Sequence, residues 1–123
     1  MIDFKNPEYV KLKRADGSFG VELSPLLVSG EEIVASYKSI RDGVVFTTKR
    51  IFIINVQGVT GKKKDFTSLP YSKIQAFSTE TAGMFDMDSE LELWFSGLGK
   101  IKLEFAGNTN IAEICKTIST YTL

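Results

Sequence analysis

Two consecutive runs near the C-terminus, within residues 90–105, alternate strictly between apolar and polar side chains. The apolar members are Leu91, Leu93 and Phe95 in the first run and Ile101, Leu103 and Phe105 in the second. Because successive side chains of a strand point to opposite faces, both runs are predicted to be strands. The glycine-containing turn between them predicts a hairpin with one apolar face, and that face must be buried against another layer of the protein.

Five upstream segments also have strand patterns and are bounded by turn residues: 33–37, 44–48, 51–56, 66–69 and 74–79. Residues 51–56 are apolar on both faces, which predicts a central strand. Gly43 closes a tight turn with Arg41 and Asp42, where it is expected to adopt a positive φ. Seven strands with one apolar face predict a mainly β fold, either a barrel or two packed antiparallel sheets.

The period then changes from two to that of a helix. Ile111, Ile114, Cys115 and Ile118 follow the spacing i, i+3, i+4, i+7. Asn110 is expected to cap this helix, with Glu113 as its capping-box partner. We therefore predict one domain over residues 1–123, with an N-terminal lead-in (1–30), a β-barrel (31–106) and a capping helix (110–121).

The lead-in carries two successive local signals. Tyr9–Arg14 and Phe19–Leu23 flank Asp16-Gly17, which predicts a hairpin. Ser24 and Pro25 then resemble a cap followed by proline at the first helical position, which predicts a short helical turn.

Composition argues against catalysis. The 123 residues include no histidine and one cysteine, Cys115, so the commonest general base and metal ligand is absent. Phosphate-binding loops, nucleophile elbows and zinc spacings are also absent from the sequence. We therefore expect no enzyme, no cofactor and no bound metal.

Net charge, the N-terminal sequence and the cysteine count indicate which partners and which cellular location to expect. The 15 basic and 15 acidic residues balance, so a nucleic-acid partner is not expected. The N-terminus lacks a signal-peptide pattern and a single cysteine forms no internal disulfide, which together suit the cytoplasm.

Several segments in order resemble the bacterial pleckstrin-homology-like domain family. They are Arg41–Arg50, Gly58–Lys63, Pro70–Ile74, Phe77–Gly83 and Asp86–Leu91. The resemblance covers roughly residue 26 to the C-terminus. It implies seven strands capped by a helix, a helical lead-in, and a non-enzymatic domain that forms homo-oligomeric rings. Eukaryotic pleckstrin-homology domains often bind phosphoinositides through a basic first hairpin loop, and the corresponding loop here offers Arg41 beside Asp42.

A basic loop is the first candidate site. Lys62, Lys63 and Lys64 follow Gly61 and, with Arg41, could bind a phosphate or an anionic lipid head group. The alternative is a solvated loop that aids solubility.

An acidic stretch is the second candidate site. Asp86, Asp88 and Glu90 share one face of an extended chain, but the stretch lacks the glycine turn of a calcium loop, so no metal is expected.

The charged side chains of residues 41–64 are predominantly basic, and those of residues 80–92 are acidic. This polarity predicts head-to-tail association of copies, which closes into a ring if the rotation allows. Pairing of the two stretches within one molecule is the alternative.

Two further side chains have two readings each, and Cys115 has one. Trp94 lies on the polar face of its strand and is either an interface anchor or covered by the N-terminal segment. Phe85 is either an exposed apolar contact for a partner or membrane, or an ordinary loop residue. Cys115 is expected to be an inert core thiol.

Overall fold

The computed structural model describes residues 1–5, 8–83 and 87–123. Its strands are β1 (Glu8–Arg14), β2 (Ile33–Lys38), β3 (Gly43–Thr47), β4 (Arg50–Gln57), β5 (Lys63–Pro70), β6 (Ile74–Glu80), β7 (Ser89–Phe95) and β8 (Gly99–Phe105). Its helices are α1 (Gly20–Leu23) and α2 (Ile111–Thr122), with 3₁₀ turns at Ser24–Leu26 and Tyr71–Lys73. The mainly β fold with a C-terminal helix is confirmed.

The strands form one curled sheet in the order β5-β4-β3-β2-β1-β8-β7-β6. Strand β1 joins two antiparallel meanders because its last two residues pair with β2 while its earlier residues pair in parallel with β8. A register shift between Tyr9 and Leu12, with Lys11 at φ 56°, allows this change of partner. The described residues thus contain eight strands rather than the seven expected, because β1 belongs to the sheet.

The inner face of the curled sheet and one face of α2 form the main core. Apolar residues from both meanders meet there, and α2 contributes Ile111, Ile114 and Ile118. The N–H of Glu113 donates to Oδ1 of Asn110 at 3.2 Å, which confirms the predicted cap.

Cys115 is only partly buried, so the expectation of a core thiol is wrong. It lies at the margin of the apolar face of α2, one residue beyond Ile114.

The predicted N-terminal hairpin is half right. Tyr9–Arg14 lies within β1, but Phe19–Leu23 is not a strand, and α1 begins at Gly20 instead. Phe19 and Leu23 pack on the outer surface of the sheet against side chains from β3 and β4, in a second core that comprises Phe19, Leu23, Val45, Phe52 and Ile54. This cover explains why β4 is apolar on both faces. The predicted helical turn at Ser24 and Pro25 is confirmed as a 3₁₀ turn.

Gly43 is required for a different reason from the one predicted. It does not adopt a positive φ; the residues that do include Gly17, Gly58 and Gly61. A Cβ atom at Gly43 would overlap the ring of Phe19. The absence of a side chain therefore permits the lead-in to pack closely on β3.

A buried ion pair fastens the lead-in to the sheet. The side chain of Glu31 is fully buried, and its two carboxylate oxygens accept hydrogen bonds from Arg50 Nε and Nη2 at 3.0 and 2.9 Å. Thr47 Oγ1 and the N–H of Val28 also donate to this carboxylate, at 2.6 and 3.0 Å. Arg50 Nη2 donates to the carbonyl of Leu26 at 2.7 Å, so the guanidinium joins the lead-in to the β3–β4 turn.

Neither helix in the described part of the chain has the length and apolar character needed to cross a membrane.

Candidate functional site

Two neighbouring loops form one end of the sheet, the β2–β3 turn (39–42) and the β4–β5 loop (58–62). Arg41 Nη2 donates to the carbonyl of Gly58 and links the loops. Asp42 Oδ1 accepts from the N–H of Val56 at 3.0 Å, which fixes the turn against β4. Gly58 and Gly61 have positive φ values of 77° and 67°, a conformation that side chains rarely permit. The two loops are therefore held in a defined arrangement.

A cleft of about 500 Å³ lies between these loops and α1. We call it the basic cleft because three cationic side chains and one carboxylate line it: Lys38, Arg41, Lys64 and Glu22. Lys64 Nζ lies 3.8 Å from the Glu22 carboxylate and 3.3 Å from the carbonyl of Gly61. Hydroxyl groups of Ser18 and Thr60 add hydrogen-bonding capacity. The excess of positive charge and the hydroxyl donors suit an anion such as a phosphate.

The structure brings together part of the predicted basic site. Arg41 and Lys64 both line the basic cleft, whereas the neighbouring Lys62 and Lys63 are exposed and do not. Lys38, which the sequence did not single out, also lines the basic cleft. Its position immediately before the turn that carries Arg41 was the available signal.

Two acids of the segment 80–92, Glu90 and Glu92, form ion pairs with a neighbouring strand. Glu92 lies 3.0 Å from Lys100, and Glu90 lies 3.3 Å from Lys102, both across the β7–β8 pair. These partners come from β8, not from the basic stretch 41–64. Among the described residues, no group of three or more candidate ligands could hold a metal ion. Asp88 lies just before β7, while Phe85 and Asp86 lie outside the described residues.

Trp94 lies on the outer face of β7 and is 36% exposed. It pairs with Ala76 of β6, and Lys100 Nζ lies 5.9 Å from the centroid of its ring. The reading in which the N-terminal segment covers Trp94 is therefore wrong. This face offers one large aromatic surface within a ladder of charged pairs.

The two strands at the ends of the sheet order differ in how their edges are protected. Edge strand β5 begins with charged residues and ends with Pro70, and its side chains Asp65 and Thr67 accept hydrogen bonds from the backbone of Met1 and Ile2. Edge strand β6 has seven residues, and the described residues supply it with one strand neighbour, β7. Its one charged residue, Glu80, is the last of the strand. A register irregularity lies between Ile74 and Ala76, and α2 contacts β6, but no described strand pairs with the outer side of β6, so we call β6 the open edge of the sheet. Backbone groups at such an edge favour pairing with another chain.

Comparisons with known proteins agree with this architecture. The chain is 45% identical over 100 residues to the uncharacterized protein YjqA of Bacillus subtilis, covering 80% of each chain. It is similar to the crystal structure of a DUF1696 family protein with a pleckstrin-homology domain from Shewanella loihica. That match has 40% identity and a TM-score of 0.81, and it covers 94% of this chain and 100% of the other.

A second solved structure, a pleckstrin-homology domain from Shewanella amazonensis, matches with 48% identity and a TM-score of 0.68, covering 89% of this chain and 90% of the other. The sequence profile of the bacterial PH domain matches residues 8–122, which include β1 and the lead-in as well as the seven predicted strands. This chain therefore belongs to the bacterial PH domain family.

Proposed function

We propose that this protein is a non-catalytic module that assembles with copies of itself through the open edge of β6. The observation that carries the proposal is the contrast between the two sheet edges. Strand β5 carries charges, ends at Pro70 and contacts the N-terminal segment, whereas β6 has no charged residue before Glu80 and no second strand neighbour among the described residues. An unprotected edge can continue the sheet by pairing with a strand of another chain.

The outer face next to this edge supports the proposal. Trp94 of β7 lies beside Ala76 of β6. A strand added to the outer edge of β6 would therefore be separated from the indole ring by β6 alone. Partly exposed tryptophans are frequent anchors of protein interfaces. The Glu90–Lys102 and Glu92–Lys100 pairs leave this face nearly neutral, so electrostatic repulsion between copies is small. These pairs also weaken the purely electrostatic route to association predicted from the acidic stretch.

The test is the mass in solution, measured by size-exclusion chromatography with light scattering. Wild-type protein should exceed the 13.7 kDa of one chain. Ala76→Lys places an ammonium group in the middle of β6, a device by which edge strands avoid pairing, and should yield monomers. Leu98→Lys adds the same charge on the exposed β7–β8 turn and should leave the mass unchanged.

The mass also distinguishes modes of assembly. A dimer indicates that β6 pairs with β6 of a second copy. A larger closed oligomer indicates a head-to-tail contact between β6 and a different surface of the next copy, which generates a ring. A monomeric wild-type protein at all concentrations tested would contradict the proposal.

A second candidate function, binding of a phosphate-bearing ligand, is favoured by the basic cleft. Three cations converge there although the protein has no net charge. Titration calorimetry with a soluble inositol trisphosphate tests it. Arg41→Ala and Lys64→Ala should each weaken binding about tenfold, because each removes a charge-assisted contact. Lys73→Ala, an exposed lysine outside the cleft lining, is the matched control. Equal affinities for all variants would refute a role for the cleft.

A further inference from the structure

The first half of β1 runs past the β2–β3 turn without pairing with it. Strand β1 pairs with β2 only at Lys13 and Arg14, and within the described part of the chain residues 8–12 have one strand neighbour, β8. The other side of this backbone therefore faces a gap in the sheet. Two clefts of about 370 and 240 Å³ lie in the gap and share Lys11 and Ile40 in their walls. We call the two clefts together the β1 groove.

A strained residue lies in the wall that the two clefts share. Lys11 has a φ of 56°, in the left-handed region that lysine rarely adopts. Around it, the register of β1 against β8 shifts between Tyr9 and Leu12. A bulge of this kind redirects side chains and interrupts strand pairing, and such strain is frequent where a protein contacts a ligand.

Three lysines meet at one end of the β1 groove. Lys13 and Lys38 lie directly opposite each other across the β1–β2 pair, and Lys11 lines the same cleft. No ion pair joins any of the three to another described residue. Like charges that lie directly opposite each other in neighbouring strands repel and destabilise the pair. The fold thus carries an uncompensated positive cluster, which an acidic ligand would stabilise.

The rest of the β1 groove is apolar and then acidic. Val10 and Ile40 are 47% and 93% exposed, and both line the larger cleft. Arg41 also lines this cleft, as do Glu8 and Asp42 at the end away from the lysines. The groove is therefore positive at one end, aliphatic in the middle and acidic at the other end.

We propose that the β1 groove binds an extended segment of a partner protein in which acidic residues flank aliphatic ones. The unpaired side of β1 can hydrogen-bond such a segment as an added strand. The three lysines then attract its acids, while Val10 and Ile40 contact its aliphatic side chains. A phosphate group would use the lysines but would leave the unpaired backbone and Val10 without a role. The groove is distinct from the basic cleft, because Val10, Lys11 and Lys13 do not line that cleft.

Fluorescence anisotropy with labelled octapeptides tests the inference. The probe alternates glutamate and valine; it should bind the wild-type protein, and more weakly as salt is added. Peptides with lysine in place of glutamate, or glycine in place of valine, should not bind. A glutamate–valine peptide N-methylated at alternate residues has fewer backbone donors and should bind at least about tenfold more weakly, since strand addition depends on main-chain hydrogen bonds.

Two substitutions in the groove should weaken binding of the glutamate–valine probe. Lys13→Glu should weaken it about tenfold, because an attraction becomes a repulsion. The same change should raise the melting temperature, since it removes the Lys13–Lys38 repulsion, so loss of binding cannot come from misfolding. Val10→Ser should also weaken binding about tenfold, because it removes an aliphatic contact.

The matched controls are Lys73→Glu and Leu98→Ser, which change exposed residues outside the groove and should bind the probe normally. Inositol trisphosphate binding should be unchanged in Lys13→Glu, so the result for the basic cleft is independent of the result for the β1 groove.

The other outcomes contradict the inference. Equal affinity of wild type and Lys13→Glu for the probe would remove the lysine cluster from the site, and equal affinity for the N-methylated peptide would exclude strand addition. No binding of the glutamate–valine probe would overturn the inference. If, in addition, phosphatidylserine vesicles bound the wild type but not Lys13→Glu, the lysine cluster would be assigned to a lipid surface instead.

Discussion

Glu31 links three separate parts of the chain through one carboxylate. It accepts hydrogen bonds from Arg50 on β4, Thr47 on β3 and the backbone of Val28 in the lead-in. Burial by itself would raise the pKa of Glu31, but the hydrogen bonds from Arg50, Thr47 and Val28 outweigh it, so the pKa lies below its ordinary value. The ionised carboxylate is therefore the form that the folded state favours.

Replacing this carboxylate should destabilise the protein. Glu31→Gln retains the shape but removes the charge that compensates the largely buried guanidinium of Arg50, at a cost of about 2–3 kcal/mol in the free energy of unfolding. Urea denaturation measures this change in the free energy of unfolding. The neighbouring Glu32 is exposed, and Glu32→Gln should change the free energy by about 0.5 kcal/mol or less. Equal effects of the two substitutions would mean that the ion pair contributes nothing.

The same carboxylate predicts a pH dependence. A pKa depressed by folding contributes stability that is fully present above the unfolded-state pKa, about 4.3 for glutamate. That stability is lost as the pH falls through the folded-state pKa. The difference in unfolding free energy between wild type and Glu31→Gln should therefore be largest near neutral pH and shrink below about pH 4. A difference that grows on acidification would show that the pKa is raised.

At the scale of elements, the lead-in is a structural layer. Helix α1 and the 3₁₀ turn after it cover the outer face of β3 and β4, where Leu23 is fully buried. The sequence pattern predicted a hairpin here because two short apolar segments flank a turn, and a four-residue helix is too short to display its period. Residues 20–23 form a helix instead, because the outer face of β4 carries Phe52 and Ile54 and this apolar face must be buried.

Two substitutions within α1 test this role. Leu23→Ala should cost about 2–4 kcal/mol, since it leaves a cavity between α1 and the sheet. Val21→Ala, on the exposed side of the same helix, should have almost no effect. Chemical denaturation measures both, and a negligible effect of Leu23→Ala would show that the lead-in is dispensable for stability.

In the molecule as a whole, the start of the chain connects the two meanders of the curled sheet. Ile2 is buried in the main core, and its N–H donates to Thr67 Oγ1 of β5 at 3.0 Å. Phe4 packs against the same core and lies near Gly99 of β8. Contacts more than 60 residues apart in sequence thus link the first residues to both meanders.

These contacts predict that the first residues contribute to the free energy of unfolding of the whole domain. Ile2→Ala should lower the free energy of unfolding by about 2–3 kcal/mol because it removes buried methyl groups from a closed core. The control is Val28→Ala, because the Val28 side chain in the lead-in is more than half exposed. This substitution should barely change the free energy of unfolding. Similar melting temperatures for Ile2→Ala and wild type would indicate that the first residues add nothing to the stability of the core.

Local periodicity in the sequence predicts the elements that short segments can encode. Local patterns placed all seven predicted strands with both ends within about three residues, and the i, i+3, i+4, i+7 spacing placed α2, beginning after its predicted cap Asn110. The sequence also marked Arg41 and Lys64 as candidate ligands of an anion. Each of these features depends on neighbours within a few positions along the chain.

The remaining features depend on contacts between segments that are distant in sequence. The parallel pairing of β1 with β8 joins residues about 95 positions apart, which no short-range pattern records. The same holds for Lys38 at the basic cleft, the Glu31–Arg50 pair, the β8 lysines that neutralise Glu90 and Glu92, and the open edge of β6. These features depend on which surfaces meet when the sheet curls, and that outcome is set by burial of the whole apolar surface rather than by any one segment.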